Sequence, residues 1–80
     1  MYFWKNKVSY HYEVMGLVVL LIWERRAELG ISDWKLGRMT GISTSTINRI
    51  ENGVIDPKLR QLEKIAKALG CKISDLYMEI

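Results

Sequence analysis

The sequence predicts an all-α fold: one domain of five short helices, preceded by an N-terminal extension with the pattern of a β-strand. Eighty residues provide for one small core and no second domain. Hydrophobic residues at 49% and charged residues at 26% are the balance of a compact globular chain, which excludes disorder over the whole length. From position 17 onward, apolar residues recur at helical spacing, and glycines stand where helices would end.

The extension, residues 1–14, differs in composition from the rest because it holds five of the eight aromatic residues. Between Val8 and Val14 apolar and polar residues alternate, which predicts a half-buried strand, and no other segment has this pattern. One interpretation is an arm that pairs with its symmetry mate or wraps a neighbour in a dimer. The other is a disordered tail, or an artefact of an upstream start, since Met15 lies just ahead of the first helix. The alternation favours the arm, with the domain itself at 15–80.

Helix boundaries follow from capping residues, glycine stops and the spacing of apolar residues. Only three residues separate the second predicted helix from the third, so these two form a tight helix pair. The five predicted helices are, in order, Leu17–Leu29 with its stop at Gly30; Ser32 as cap through Thr40 with its stop at Gly41; Ser43 as cap to the Asn52-Gly53 stop; from the Asp56-Pro57 turn to Leu69 with its stop at Gly70; and a short helix capped by Ser74 through Tyr77.

Composition and motifs exclude several classes of protein. The single cysteine, Cys71, and the single histidine, His11, provide neither an intramolecular disulfide nor a zinc site. No nucleophile with a base, pair of carboxylates or set of metal ligands has catalytic spacing, so we predict no enzyme and no cofactor. The most apolar run, Val14–Trp23, would cover about 15 Å as a helix, half of a bilayer core of about 30 Å. We therefore expect a buried helix there, no membrane partner and a cytoplasmic location.

The short helix, glycine turn and second short helix form a helix-turn-helix arrangement, in which the second helix can enter a DNA major groove. Counted at about 100° per residue, Ser45, Asn48 and Arg49 share one face of that helix. Ile47 and Ile50 lie on the opposite side. The outer face combines a cation with amides and hydroxyls and has no acid, which suits base edges and phosphates. An ordinary solvated helix face is the alternative, and the pattern alone does not decide between the two.

The stretch GISTSTINRIENG, followed by VIDPKLRQLEKIAKALGCKISDLY, resembles the lambda-repressor and Cro-like helix-turn-helix family, also called the XRE family. The match covers about residues 22–77. The residues that coincide in order are Leu36, Gly41-Ile42-Ser43, Ile47, Ile50-Glu51-Asn52-Gly53, Pro57 and Ile65-Ala66-Lys67-Ala68-Leu69-Gly70. The resemblance implies a five-helix domain that binds double-stranded operator DNA as a symmetric homodimer on a pseudo-palindrome, with half-sites roughly 34 Å apart.

The resemblance also implies roles for individual residues. The base-reading positions fall on Thr44, Ser45, Asn48 and Arg49, and the phosphate-contacting positions on Ser43 and Asn52, with Lys35 and Arg38 adding charge beside them. The fork of Arg49 matches the two acceptors of guanine, and Asn48 is expected to contact adenine directly or through water. Arg26 and Glu51 are expected to form an ion pair that braces the third helix against the first; a solvated acid at the helix end is the alternative for Glu51.

Three residues depart from the family pattern, and one of them, Thr40, replaces a frequent leucine. Asp33 stands where the family commonly has a glutamine that touches the DNA backbone, and a carboxylate there would repel phosphate. Gly37 replaces the usual alanine and keeps the second and third helices close, at a helix cost of about 1 kcal/mol.

The sequence therefore predicts a sequence-specific DNA-binding transcriptional regulator, a repressor by preference, with no small-molecule ligand. The second hypothesis is a protein-interaction module of the same fold, such as an antitoxin or accessory partner. The net charge of +3 and the isoelectric point near 9.2 fit both.

Overall fold

The protein, for which we use a computed structural model, is described here over residues 18–79. In chain order these residues form β1 (Val18–Leu20), α1 (Ile22–Glu28), α2 (Asp33–Thr40), α3 (Thr44–Glu51), α4 (Leu59–Leu69), a 3-10 turn (Ile73–Leu76) and β2 (Tyr77–Glu79). The predicted strand between Val8 and Val14 lies outside the described residues.

The two strands form a small antiparallel sheet, which the sequence pattern did not predict beside the helices. Val19 pairs with Met78 at the centre of the sheet. The backbone N–H of Leu21 donates to the carbonyl of Leu76 at 2.8 Å, which continues the connection beyond the strands. The helix predicted from Leu17 begins only at Ile22, because a continuous apolar run of valines and leucines has no period that separates a strand from a buried helix.

The fifth predicted helix is also corrected. Residues Ile73–Leu76 form a single 3-10 turn, so the described residues contain four α-helices. The predicted cap at Ser74 is wrong, since the capping bond runs from the backbone N–H of Lys72 to the Asp75 carboxylate at 2.9 Å. Tyr77, the predicted last residue of that helix, already belongs to β2. The turn ends early because the chain must become extended to pair with β1.

The predicted caps of the central helix pair are present. The Ser32 hydroxyl accepts the backbone N–H of Lys35 at 3.0 Å, and the Ser43 hydroxyl accepts that of Thr46 at 3.2 Å. Gly41 ends α2 with φ +77°, a conformation that L side chains rarely adopt. These local bonds fix where α2 stops and α3 starts, and so set the tight turn between them.

The core is one apolar cluster that α3 helps to close. Ile47 and Ile50 of α3 have no exposed surface. The other side chains buried to the same degree within the cluster are Ile22, Leu36, Ile65 and Leu76. Each such side chain contributes about 1.5–3 kcal/mol to folding, and the pair on α3 holds the opposite face of that helix outward.

A two-pronged ion pair ties α1 to α3. Arg26 donates from Nε to Glu51 Oε2 at 2.9 Å and from Nη2 to Glu51 Oε1 at 3.0 Å. Its Nη1 donates to the carbonyl of Ile31, after α1, at 3.0 Å. The side chains are 13% and 2% exposed, so Glu51 is not a solvated acid at a helix end. The hydrogen bond to Glu51 raises the pKa of Arg26 above its ordinary value, which keeps the guanidinium charged.

Gly37 lies where α2 passes the start of α3. A Cβ at this position would stand 2.8 Å from the carbonyl oxygen of Ile42 and 3.2 Å from the hydroxyl of Thr44. The distance of 2.8 Å is shorter than the contacts that Cβ atoms make in proteins. The oxygen belongs to the backbone, so it cannot move aside as the end of a flexible side chain can. The close approach expected from the sequence is therefore tight enough here to require glycine.

We expect Glu51→Ala to lower the free energy of unfolding by about 3–5 kcal/mol, because it leaves the Arg26 guanidinium buried without its counter-charge. Urea denaturation followed by circular dichroism measures the loss. The matched control is Glu28→Ala, which removes the partner of Arg25 in a surface pair at 3.4 Å; exposed pairs contribute about 0–1 kcal/mol. Equal losses in the two variants would contradict the bracing role of Glu51.

We expect Gly37→Ala to lower the free energy of unfolding by about 1 kcal/mol. Overpacking costs roughly 1–3 kcal/mol, and replacing a helical glycine returns about 1 kcal/mol of helix propensity. The same denaturation series measures the change. A more stable variant would show that propensity outweighs the contact with the Ile42 carbonyl.

Candidate nucleic-acid interface

The polar face of α3 lies on the surface, opposite the buried isoleucines. Ser45 and Arg49 are exposed, whereas Thr44 and Asn48 are half-buried. All four predicted base-reading residues thus share one side of the helix. The arrangement follows from helical spacing, because burial of Ile47 and Ile50 in the core turns the opposite face of α3 to the surface.

The predicted phosphate-contacting residues surround this face. Ser43 and Asn52 lie at its two ends and are exposed, as are Lys35 and Arg38 on α2. Two of them are already engaged locally. The Ser43 hydroxyl donates to the Thr46 hydroxyl at 2.8 Å, and the Asn52 amide donates to the carbonyl of Asn48 at 2.9 Å. Ser43 therefore serves α3 first as its cap and takes up the backbone N–H of Thr46. The N–H groups of Thr44 and Ser45 are the ones of the first turn that remain for an anion.

Arg38 does not extend freely from α2, because its guanidinium lies over the ring of Trp34, 5.1 Å from the ring centre. Such a contact contributes roughly 0.5–1 kcal/mol at an exposed site. Trp34 itself is 60% exposed, so its ring forms a platform for the cation at the protein surface. The sequence signal for this contact is the four-residue spacing of Trp34 and Arg38, which places the two side chains on one face of α2.

Asn48 and Asp33 form an unexpected bond across the helix pair. The Asn48 amide nitrogen donates to Asp33 Oδ2 at 2.9 Å and to the carbonyl of Thr44 at 3.1 Å. Asp33 was expected only as an acid that repels phosphate, and the structure gives it a hydrogen-bond partner on α3. The hydrogen bond from Asn48 lowers the pKa of the Asp33 carboxyl below its usual 3.8, with smaller help from backbone N–H groups and Arg26. Asp33 is therefore a charged acceptor at neutral pH.

The other reactive side chains within residues 18–79 form neither a reactive-thiol site nor a metal-binding site. Burial raises the pKa of the half-buried Cys71 thiol above its usual 9.0, so the thiol stays protonated at neutral pH and packs as a small apolar group. Within residues 18–79, no three His, Cys, Asp or Glu side chains are close enough to hold a metal ion. No helix in the same part of the chain has the length and apolar content needed to cross a membrane.

Comparison with known proteins identifies the fold. A family model described as helix-turn-helix matches residues 22–76, which include all four α-helices. The chain belongs to the helix-turn-helix family. This confirms the lambda-repressor and Cro-like resemblance read from the sequence.

The helix-turn-helix chain is also similar to three uncharacterized HTH-type transcriptional regulators. One from Methanocaldococcus jannaschii is 34% identical over 74 residues, which cover 92% of this chain and 91% of the relative. YgzD from Bacillus subtilis is 39% identical over 54 residues, covering 68% and 82%. One from Archaeoglobus fulgidus is 35% identical over 55 residues, covering 69% and 79%. The first of these alignments reaches into the segment before β1, so that relative has a matching segment there.

The lowered pKa of the Asp33 carboxyl makes the stability of the protein depend on pH. Because the folded-state pKa lies below the unfolded one, the Asp33 to Asn48 bond stabilises the protein above about pH 4, and this contribution is lost as the pH falls through the folded-state pKa. We expect the Asp33 side-chain carbon, followed by NMR, to titrate below 3.8, and to return to its usual range in Asn48→Ala. An unchanged titration in Asn48→Ala would contradict the bond.

Proposed function

We propose that this chain is a sequence-specific transcriptional regulator that inserts α3 into the major groove of double-stranded DNA. The observation that carries the proposal is the division of α3 into two faces. Ile47 and Ile50 are fully buried, while Ser45 and Arg49 project from the opposite side. A rigid helix with a cation, hydroxyls and an amide on its outer side is the element that reads base edges in this family of folds.

The rigidity of that helix supports the proposal. Base readout needs side chains held to a fraction of an ångström, and the Arg26 to Glu51 pair fixes the C-terminal end of α3 while the Ser43 cap fixes its start. Arg49 lies two residues before Glu51 on the same helix and thus presents its guanidinium from a backbone that the ion pair holds in place. We assign Arg49 to a guanine, whose O6 and N7 accept both prongs of the fork.

Charges beside the helix support contacts to the DNA backbone. Lys35 and Arg38 lie exposed on α2, which crosses the backbone in helix-turn-helix complexes. The Trp34 ring holds Arg38 in one direction and lowers the entropy lost when it meets a phosphate. We assign Ser43 and Asn52 to phosphates at the two ends of α3, through the N–H groups of the first turn and the remaining N–H of the Asn52 amide.

We further propose that the regulator acts as a homodimer on a pseudo-palindromic operator and represses by occupying it. The relatives are named as HTH-type transcriptional regulators, which supports a regulatory role in the cytoplasm, where the DNA lies, and not an enzymatic one. Exposed apolar side chains after α3, Val54 at 68% and Leu59 at 70%, leave surface for a second copy.

The same exposed apolar residues favour a second candidate function, a protein-interaction module that uses this fold without binding DNA specifically. Salt dependence separates the two. A protein that neutralises several phosphates loses affinity steeply as salt rises, through counterion release. A module that binds through Val54 and Leu59 would show a flat salt dependence and no preferred duplex.

The test is selection of bound duplexes from a random pool, followed by a salt series on the winner. We expect a palindromic consensus, and we expect Arg49→Ala to weaken binding by about 1–3 kcal/mol and relax the preference at one base pair. The control Lys72→Ala removes the same charge from an exposed residue after α4, and it should leave the base preference intact. No enriched consensus, or equal effects of the two variants, would overturn the groove assignment.

A further inference from the structure

The amide of Asn48 is held in one orientation by the chemistry of its neighbours. Its nitrogen contacts Asp33 Oδ2 at 2.9 Å and the carbonyl oxygen of Thr44 at 3.1 Å. A carboxylate and a carbonyl can only accept hydrogen bonds, so the amide must present its N–H groups to both. The orientation with the amide oxygen on that side would place acceptor against acceptor twice. The assignment of nitrogen and oxygen therefore follows from the partners.

These two bonds use both N–H groups of the amide. What remains for a ligand is the carbonyl oxygen Oδ1, to which no hydrogen bond is formed within residues 18–79. Asn48 is half-buried on the outer side of α3, between Thr44 and Asn52. The residue that sequence reasoning assigned to adenine thus enters the interface as an acceptor alone.

An acceptor alone does not make the paired contact that asparagine makes with adenine. That contact needs an N–H for the adenine N7 together with an oxygen for the N6 amino group. Here the N–H groups are engaged, and the Asp33 carboxylate beside them adds a negative charge that repels N7. Guanine and thymine present acceptors at the corresponding edge and are repelled as well. Cytosine presents an N4 amino donor and has no acceptor on its own major-groove edge, since the nearest acceptor is O6 of the paired guanine. Side chains that only accept hydrogen bonds pair with this amino group.

We propose, as an extension that rests on the proposed function, that Asp33 is a positioning residue which fixes Asn48 as a reader of cytosine in the major groove. Asn48 contacts the base through Oδ1, and Asp33 acts through Asn48. Compared with the glutamine that the family commonly has at this position, Asp33 therefore loses an attractive contact to the DNA backbone and gains control over which base Asn48 selects. The carboxylate weakens binding to every duplex by repelling phosphate, and the hydrogen bond it accepts selects one base.

Two substitutions of Asp33 separate these effects. Asp33→Asn removes the charge but keeps an oxygen that accepts the N–H of Asn48. We expect it to retain the cytosine preference and to bind all duplexes more tightly, by about two- to fivefold, as expected for one exposed charge. Asp33→Ala removes the acceptor too, frees one N–H of Asn48, and should move the preference at that position from cytosine to adenine.

The measurement uses the selected duplex with each of the four bases at the position read by Asn48, which is the position whose preference disappears in Asn48→Ala. In the unmodified protein we expect cytosine to bind about five- to twentyfold more tightly than guanine or thymine, in the range of one base contact. Glu28→Ala is the control for removal of an exposed acid elsewhere, and it should leave the four-base ranking unchanged. Thermal melting confirms that each variant is folded.

A measurement without DNA tests the bond itself. The side-chain amide resonances of Asn48 should shift in Asp33→Ala and stay close to their original positions in Asp33→Asn. If they do not move in Asp33→Ala, the bond is not formed in solution and the inference is overturned.

The outcomes of the DNA experiment distinguish the two proposals. Specific binding that depends on Arg49, with the same four-base ranking in Asp33→Ala as in the unmodified protein, overturns the role of Asp33 alone. A preference for adenine in the unmodified protein does the same. Absence of any specific duplex overturns the proposed function and this inference with it.

Discussion

The candidate DNA-binding surface depends on the ion pair between Arg26 and Glu51. A helix of eight residues has little stability of its own, so its position must come from tertiary contacts. Two isoleucines set its rotation about the axis, and the bidentate bond sets its distance from α1. Both side chains are largely buried, which makes the pair costly to break. Each of the three guanidinium nitrogens of Arg26 donates a hydrogen bond, two to Glu51 and one to the carbonyl of Ile31.

The closeness of α2 and α3 is the second constraint, and it determines which residues meet. Gly37 allows the two helices to approach until the first residue of α2 lies beside the second turn of α3. This distance puts Asp33 within hydrogen-bond reach of Asn48. A bulkier residue at position 37 would separate them, so the hydrogen bonding of α3 depends on a backbone contact in the middle of α2.

Much of this structure follows from local sequence, and the exceptions have a common cause. The caps at Ser32 and Ser43, the stop at Gly41 and the two faces of α3 are local features, and each was predictable from spacing and residue type. The strand Val18–Leu20 was not, because its valines and leucines are apolar without a period and its partner lies about sixty positions away. The family resemblance supplied the Arg26 to Glu51 pairing, which spacing alone would not give. Nothing local indicates that Asp33 meets Asn48, since that contact arises from packing of two helices.

The sheet has a consequence for how the domain could be connected to other chains. Val18 lies opposite Glu79 in an antiparallel pair, so the first and last described residues leave the domain from one edge, a strand spacing apart. A domain whose two ends lie side by side can be inserted into a surface loop of another protein without disrupting the structure around that loop. In the helix-turn-helix unit, the candidate DNA-binding face of α3 and the sheet edge at Val18 and Glu79 are therefore separate parts of the domain.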